Sequence, residues 1–519
     1  MINERFAFFY RYGIIMAYYV LYTNHKGEYI MERIMSSRNL TQLTDFYQLT
    51  MMQGYFFAKD VNETVVFDAF YRTNPDGNGY SVSCGLDQLI DYIKNLHYSA
   101  ADIEYLRKTG FFREEFLEYL ANFRFTGDIW ALPEGTVMFP REPFIKVIAP
   151  IMEAQLIETA MLNIMNHQSL IATKASRVTH AARPDGVMEF GLRRAQGPDA
   201  GIYGARAAMV GGCVGTSNIL AGEMFDVPIL GTHAHSWIMS FPDELTAFRT
   251  YAELYPDACI LLVDTYDTLK SGVPHAIQVF QEMREKGIKP KRYGIRLDSG
   301  DLAYLSKRAK EMLDAAGFED AVISASNDLD EFLIQSLKNQ GATINSWGVG
   351  TAMITSKNCP AFGGVYKLAA ILDKETGEFI PKIKLSENAE KITNPGNKTL
   401  YRIYGKDNHK IIADLICLAD EKFDESQSLL LFDPIQTWKK THLAPGTYTM
   451  RELLVPVFKN GECVYESPSV MEIREYCNQE KETLWDETRR LRYPHEVHVD
   501  LSDALWKMKN ELLEKLQGN

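Results

Sequence analysis

Three groups of residues have the types and spacing to do chemistry, and each follows a short apolar run. Arg193 and Arg194 come after Val187–Gly191, and arginine forks match carboxylates and phosphates in two-point contacts. His233 and His235 share the turn Gly-Thr-His-Ala-His-Ser after Val227–Gly231, where a histidine can be a base, a metal ligand or a phosphoryl acceptor. Arg296 precedes Asp298-Ser299-Gly300-Asp301. Two carboxylates, Asp298 and Asp301, beside a glycine suit a Mg²⁺ ion that shares its shell with substrate phosphates. The competing reading of that cluster is a helix N-cap, and one residue can serve both ends. Asp264, after Cys259–Val263, carries the same ambiguity. The glycines Gly348, Gly350, Gly363 and Gly364 mark two small-residue turns of the kind whose N–H groups hold phosphate, although glycine marks ordinary turns as often. The His-x-His pair lacks the further clustered ligands of a zinc site.

These groups need elements to position them. The runs Val187–Gly191, Val227–Gly231, Cys259–Val263, Arg292–Leu297, Ala321–Ala325 and Ser346–Gly350 start roughly 25 to 40 residues apart, the size of a βα repeat. They are near-continuously apolar, as for strands covered on both faces. Polar residues follow each one, as at the C-terminal face of a (β/α) barrel. An open doubly wound sheet is the alternative, but no dinucleotide or P-loop fingerprint follows any strand.

The segments on either side differ. Between Leu40 and Pro150 the pattern mixes a helix opening at Thr44 or Asp45, a strand over Val65–Arg72, and a turn at Asn74–Gly79 that predicts a hairpin with Tyr80–Cys84. Three helices and two more strands follow. Beyond Tyr366 come strands and turns, with a hairpin at Asn460-Gly461 and a charged helical tail over Met471–Leu516 expected on the outside. The expected architecture is α/β: an irregular (β/α) barrel domain plus an α+β domain built from N-terminal and C-terminal segments. Its divisions are an extension over 1–34, an α+β domain over 35–170, the barrel over 171–370 and C-terminal segments over 371–519.

The bulk numbers narrow the function. The chain has 519 residues, 46% of them hydrophobic and 24% charged, a globular composition. Its 55 basic and 68 acidic residues leave a net charge of −13 and argue against nucleic acid as a partner. Seven scattered cysteines without a Cys-x-x-Cys pair point to reduced thiols and a cytoplasmic setting. The apolar run Phe6–Thr23 is short for a membrane span and contains Arg11. It reads as an extension before a working start at Met31 or Met35, so no membrane partner is expected.

Taken together, LTDFYQLTM, FGLRRAQGPD, GGCVGTSNILAG, GTHAHSW, LLVDTYDT, IRLDSGDL and the paired glycines before YKL resemble the nicotinate phosphoribosyltransferase family. The similarity runs in register from Leu40 to at least Glu387. It implies a homodimer that joins nicotinate to 5-phosphoribosyl 1-diphosphate with Mg²⁺, driven by ATP through a phosphohistidine. By the same resemblance His235 accepts the phosphate. Phe190 stacks on one face of the pyridine ring, and Tyr47 of the partner subunit on the other. Arg296 meets the carboxylate, Arg193 the phosphates and Asp298 the ribose and its metal. Gly348, Gly350, Gly363 and Gly364 resemble the turns at the 5′-phosphate. Related enzymes that use nicotinamide carry an aspartate where this chain has Ser217, whose hydroxyl can donate to a carboxylate.

Overall fold

The computed structural model of the chain describes residues 38–387 and 391–518, with the backbone of 21–23 and 29–31. Most of the expected extension over 1–34 lies outside the described residues. Leu21–Thr23 and Tyr29–Met31 pair antiparallel.

The βα rhythm folds into one parallel sheet. Its strands lie in the order Ala258–Leu262, Arg292–Leu297, Val322–Ala325, Ser346–Val349, Gly186–Glu189, Gly215–Thr216. Every neighbouring pair is parallel. Side chains of these strands are buried because helices cover them, which is why the sequence shows runs rather than alternation. The Val227–Gly231 run is reduced to a single parallel bridge between Thr216 and Ile229. The edge of Ala258–Leu262 next to it is met by a side chain: the Leu262 N–H donates to Nε2 of His233 at 3.3 Å. The barrel is irregular at that seam.

A second sheet of seven antiparallel strands draws on both ends of the chain. Thr64–Tyr71 pairs with Ile145–Pro150 on one side and with Gly364–Leu372 on the other, while Val455–Lys459 joins through Asp128–Ala131. The α+β domain is therefore assembled from N-terminal and C-terminal segments. A four-stranded sheet of Tyr448–Glu452, Lys398–Gly405, Ile411–Leu418 and His498–Leu501 lies beyond it. The Asn460-Gly461 hairpin forms, with φ of 49° and 77°, the left-handed pair of a type I′ turn.

Two local expectations fail. Asn74–Gly79 does not close a hairpin: Ser81–Val82 pairs with Val137–Met138 instead. The segment is drawn onto the long helix Glu158–Ala182, where Val82 N–H donates to Thr173 Oγ1 at 2.9 Å and Tyr80 shares a hydrogen bond with Ser176 at 3.1 Å. The charged tail is not simply an outer helix. Val470–Thr483 buries Ile473 and Cys477 in the barrel-side core, and His498–Leu501 enters a sheet. Its acidic and basic residues had suggested a solvated surface, but only one face of the helix is wet.

Candidate active site

The polar residues that follow the parallel strands converge. Arg296 stands one residue before the end of Arg292–Leu297, and its guanidinium is spent on four neighbours, the His233 carbonyl and three side chains. Nη1 donates to Thr232 Oγ1 at 2.6 Å, Nε to Ser326 Oγ at 2.8 Å and Nη2 to Asp298 Oδ1 at 3.0 Å. Ser326 also donates to Asp298 Oδ1. Asp264, at the end of the next strand, fixes the loop: its Oδ2 accepts the Asp298 N–H at 2.8 Å and Ser299 Oγ at 2.7 Å.

His235 opens the short helix His235–Met239 beside these acids. Its Nδ1 lies 3.1 Å from Thr265 Oγ1, and its Nε2 lies 3.8 Å from Asp298 Oδ2 and 3.9 Å from Asp264 Oδ1. Burial pushes the Asp298 carboxyl up, but hydrogen bonds from Ser326 and Arg296 and the charges of Arg296 and His235 outweigh it and hold it below the usual range. Asp298 is thus a carboxylate with one oxygen tied down and the other turned to His235. The buried Asp264 Oδ1 has no hydrogen-bond partner among the described residues. His233 is held neutral, its pKa pushed down to about 4 by burial first and then by Arg296. Its carbonyl accepts from Arg296 at 3.2 Å.

Phe190 reaches the same cluster by a different route. Its N–H bonds Val349 O at 2.8 Å, and its ring packs against Gly348. A Cβ at Gly348 would stand 2.6 Å from Phe190 Cδ2 and 3.5 Å from Ser326 Cβ, so glycine there makes room for the ring beside the Arg296–Asp298 pair. Gly350 is as close, with a Cβ 3.1 Å from Phe190 O. Glu189 joins the two neighbouring loops. Its carboxylate is buried and accepts from the Gly191 N–H and, at 2.6 Å, from Thr216 Oγ1.

Other candidates stand further out. Arg193 and Ser217 are exposed at the ends of their strands, and Arg193 makes no ion pair or hydrogen bond with described residues. Asp301 caps the helix Leu302–Ala315, accepting from Tyr304 N at 3.0 Å. Gly363 takes a φ of 74°, and Gly364 begins a strand where a Cβ would strike Asn166 Oδ1 at 2.2 Å. Tyr47 is not brought to the cluster within one chain. It is exposed on the helix Phe46–Ala58, with Gln48, Glu158 and Asp45 as its polar neighbours. Thr265, Thr232, Ser326 and Glu189 were not singled out from sequence. Their only signal is a polar residue at or just after a buried run.

Comparisons with known proteins bear on this arrangement. Residues 43–166 match the nicotinate phosphoribosyltransferase N-terminal domain, 186–375 the nicotinate phosphoribosyltransferase family and 397–509 its C-terminal domain. A nicotinate phosphoribosyltransferase of Bacillus subtilis is 44% identical over 480 residues, covering 92% of this chain and 96% of its own. The chain belongs to the nicotinate phosphoribosyltransferase family. A human member is 31% identical over 531 residues, covering 91% of this chain and 96% of its own. The crystal structure of human nicotinic acid phosphoribosyltransferase superposes with a TM-score of 0.78 at 30% identity, over 91% of this chain and all of that one. No helix among the described residues is long and apolar enough to cross a membrane.

Proposed function

We propose that this chain joins nicotinate to 5-phosphoribosyl 1-diphosphate, releasing diphosphate and forming nicotinate mononucleotide, with ATP hydrolysis coupled through His235. The observation that carries the reading is the continuity of one surface: the Phe190 ring over Gly348, Ser326 beside it, then Arg296, Asp298 and His235. An aromatic face next to a fixed guanidinium suits a flat anionic ring. Loss of diphosphate leaves an oxocarbenium-like ribose, and the free oxygen of Asp298 is a fixed negative charge for it. The exposure of Arg193, which has no partner among the described residues, supports a phosphate contact, and the N–H groups of the glycine turns at Gly348 to Gly350 and at Gly363 and Gly364 suit the same ligand. Ser217 offers a hydroxyl to the substrate carboxylate where an acid would repel it. The exposure of Tyr47 fits a role in a neighbouring subunit of a homodimer.

The donor set also suits Mg²⁺. Asp298 has an uncommitted oxygen, and Asp264 Oδ1 is orphaned in the interior. Mg²⁺ usually takes one or two carboxylates and fills its shell with water and phosphate oxygens. Asp298 would hold it, with Asp264 behind; Asp301 already serves as a helix cap. The ion would neutralise charge on the diphosphate leaving group.

His235 is positioned for phosphoryl transfer. With Nδ1 engaged by Thr265, Nε2 is the nitrogen left to attack the γ-phosphorus of ATP, and ADP leaves with the bridging oxygen. A phosphoryl group there stands beside two carboxylates, so its charge strains the loop until water removes it. The test is turnover with nicotinate, 5-phosphoribosyl 1-diphosphate, Mg²⁺ and ATP, assaying the mononucleotide and ADP together. His235→Ala is expected to abolish ADP release while leaving a slow ATP-independent reaction. Full ATP stimulation in that variant would remove the coupling role. A preference for nicotinamide in parallel assays would overturn the assignment of substrate.

A further inference from the structure

Away from the parallel sheet, a cavity of about 250 Å³ opens between the central strand Thr64–Tyr71, the strand His498–Leu501 and the last helix, Asp503–Gln517. Its charges are lopsided. Arg141, Lys398 and Lys509 line it against a single carboxylate, Asp68. Lys398 is paired with Asp68 at 2.7 Å, and both are buried. That leaves Arg141 and Lys509. The Arg141 guanidinium makes no hydrogen bond or ion pair among the described residues, and its backbone is held at a φ of 76°, a region that L side chains seldom adopt. Lys509 donates to Asn394 Oδ1 at 2.8 Å and pairs with no acid among the described residues. Burial first, then Arg141 and Lys398, push its ammonium down to about 8. In a chain of net charge −13, two unmatched cations at one cavity are not background.

The rest of the wall is apolar. Phe70, Ile416, Leu501 and the ring of Trp506 form one side, and Trp506 is fixed by a bond from Nε1 to Pro434 O at 3.2 Å. A cation pair facing an aromatic and aliphatic wall asks for a ligand with a doubly charged anionic head and a small apolar body. We propose that this cavity is a second ligand site, separate from the candidate active site, which binds a small phosphate monoester carrying an aromatic or aliphatic group. Arg141 and Lys509 hold the phosphate, and Trp506 and its apolar neighbours receive the organic part. A guanidinium fork and a nearby ammonium are the usual pairing for a terminal phosphate. The site has no part in the reaction proposed above and does not depend on it.

Calorimetric titration with phenyl phosphate tests this, on the full chain carrying Arg193→Ala so that the proposed phosphate contact of the candidate active site is removed. Binding at one site per chain is expected to persist in that background. It should weaken about tenfold or more when Arg141→Gln is added, and again with Lys509→Met. Arg141→Gln removes no native bond, so a folded variant is expected, and an unchanged melting temperature without ligand checks it. Inorganic phosphate should bind more weakly than phenyl phosphate, because it leaves the apolar wall unused. Loss of binding in Arg193→Ala alone, or affinity untouched by Arg141→Gln, would show that the anion sits elsewhere and overturn the site. Equal affinity for inorganic phosphate would overturn the ligand class.

Discussion

Two charge clusters in this molecule use the same residue types to opposite ends. In the first, Arg402 is wholly buried and its fork is filled. Nε and Nη2 reach Asp414 at 2.9 and 2.6 Å, and Nη1 reaches Glu480 at 3.1 Å. Glu480 in turn accepts from Arg451 at 2.8 Å, and the Phe139 ring lies 5.1 Å from the Arg402 guanidinium carbon. Glu142 nearby is pushed well above its ordinary value, by burial first and then by Asp414. In the second cluster, the Arg296 fork is also filled, but the acids around it are left with spare capacity. Asp298 keeps one oxygen for His235, and Asp264 keeps one with no partner. A closed network fixes a fold, whereas one with unfilled lone pairs at the mouth of a barrel can take a substrate or an ion.

The comparison breaks first at Arg402. Arg402→Met leaves Asp414 buried without its cation and Glu480 with Arg451 alone, and such a loss costs about 3–5 kcal/mol of stability. Chemical denaturation should show that loss, while the turnover of the fraction that remains folded stays near wild type. A variant as stable as wild type would mean that the buried network is not what holds these strands together.

The same kind of change at the active face should do the reverse. Asp298→Asn keeps the shape and removes the charge proposed to face the ribose. We expect kcat to fall by about 10²–10³-fold, equivalent to about 2.7–4 kcal/mol, because the interaction matters most in the transition state. The melting temperature should move little, since Asp298 is partly exposed and Ser326 still has Arg296 as a partner. A large drop in stability with unchanged kcat would place Asp298 in the structural class with Asp414.

Phe190→Ala separates binding from chemistry within that face. It removes the ring over Gly348 and touches neither Arg296 nor Asp298 directly. The expected result is a KM for nicotinate raised about tenfold, in line with about 1–2 kcal/mol for one aromatic face, with a smaller change in kcat. An unchanged KM would remove Phe190 from the ring site.

Much of this division was legible in the chain itself, for a physical reason. Strands covered on both faces must be apolar throughout, so Cys259–Val263 and Arg292–Leu297 announce themselves, and the first polar residue after each marks the open end. Asp264 and Asp298 were visible that way, as was the His235 turn, whereas Arg296 lies inside its strand. The buried charges were not. Arg402, Asp414 and Glu480 come from two strands and a distant helix, and nothing local tells a buried salt bridge from a wet one. The misassigned hairpin at Asn74–Gly79 has the same origin. Its turn chemistry was read correctly as a turn, but the partner of Ser81–Val82 was chosen by Thr173 and Ser176 on a helix some ninety residues away. Tyr47 marks a further limit, since a role in another subunit leaves only an exposed ring in one chain.

His233 lies between the two classes, and pH is the way to separate its parts. It is buried like the structural residues, yet its carbonyl and ring support the face that holds Arg296. Burial and Arg296 depress its pKa from 6.5 to about 4, so the folded state binds the proton less readily than the unfolded state does. By linkage the neutral ring's contribution is complete above the unfolded value of 6.5 and is lost as pH falls toward 4. Discounted for partial solvent screening, that amounts to about 1–2 kcal/mol over the window. Protonation also takes away the lone pair that accepts from Leu262 N–H at the barrel seam and sets a cation beside Arg296. The Asp298 carboxyl is held below its ordinary value of 3.8, so its own contribution is lost mainly below this window. Stability measured from pH 7 to 4 should therefore fall more steeply for wild type than for His233→Gln, whose amide can still accept from Leu262 and does not titrate. Parallel slopes for the two proteins would place the acid sensitivity in other groups and return His233 to simple packing.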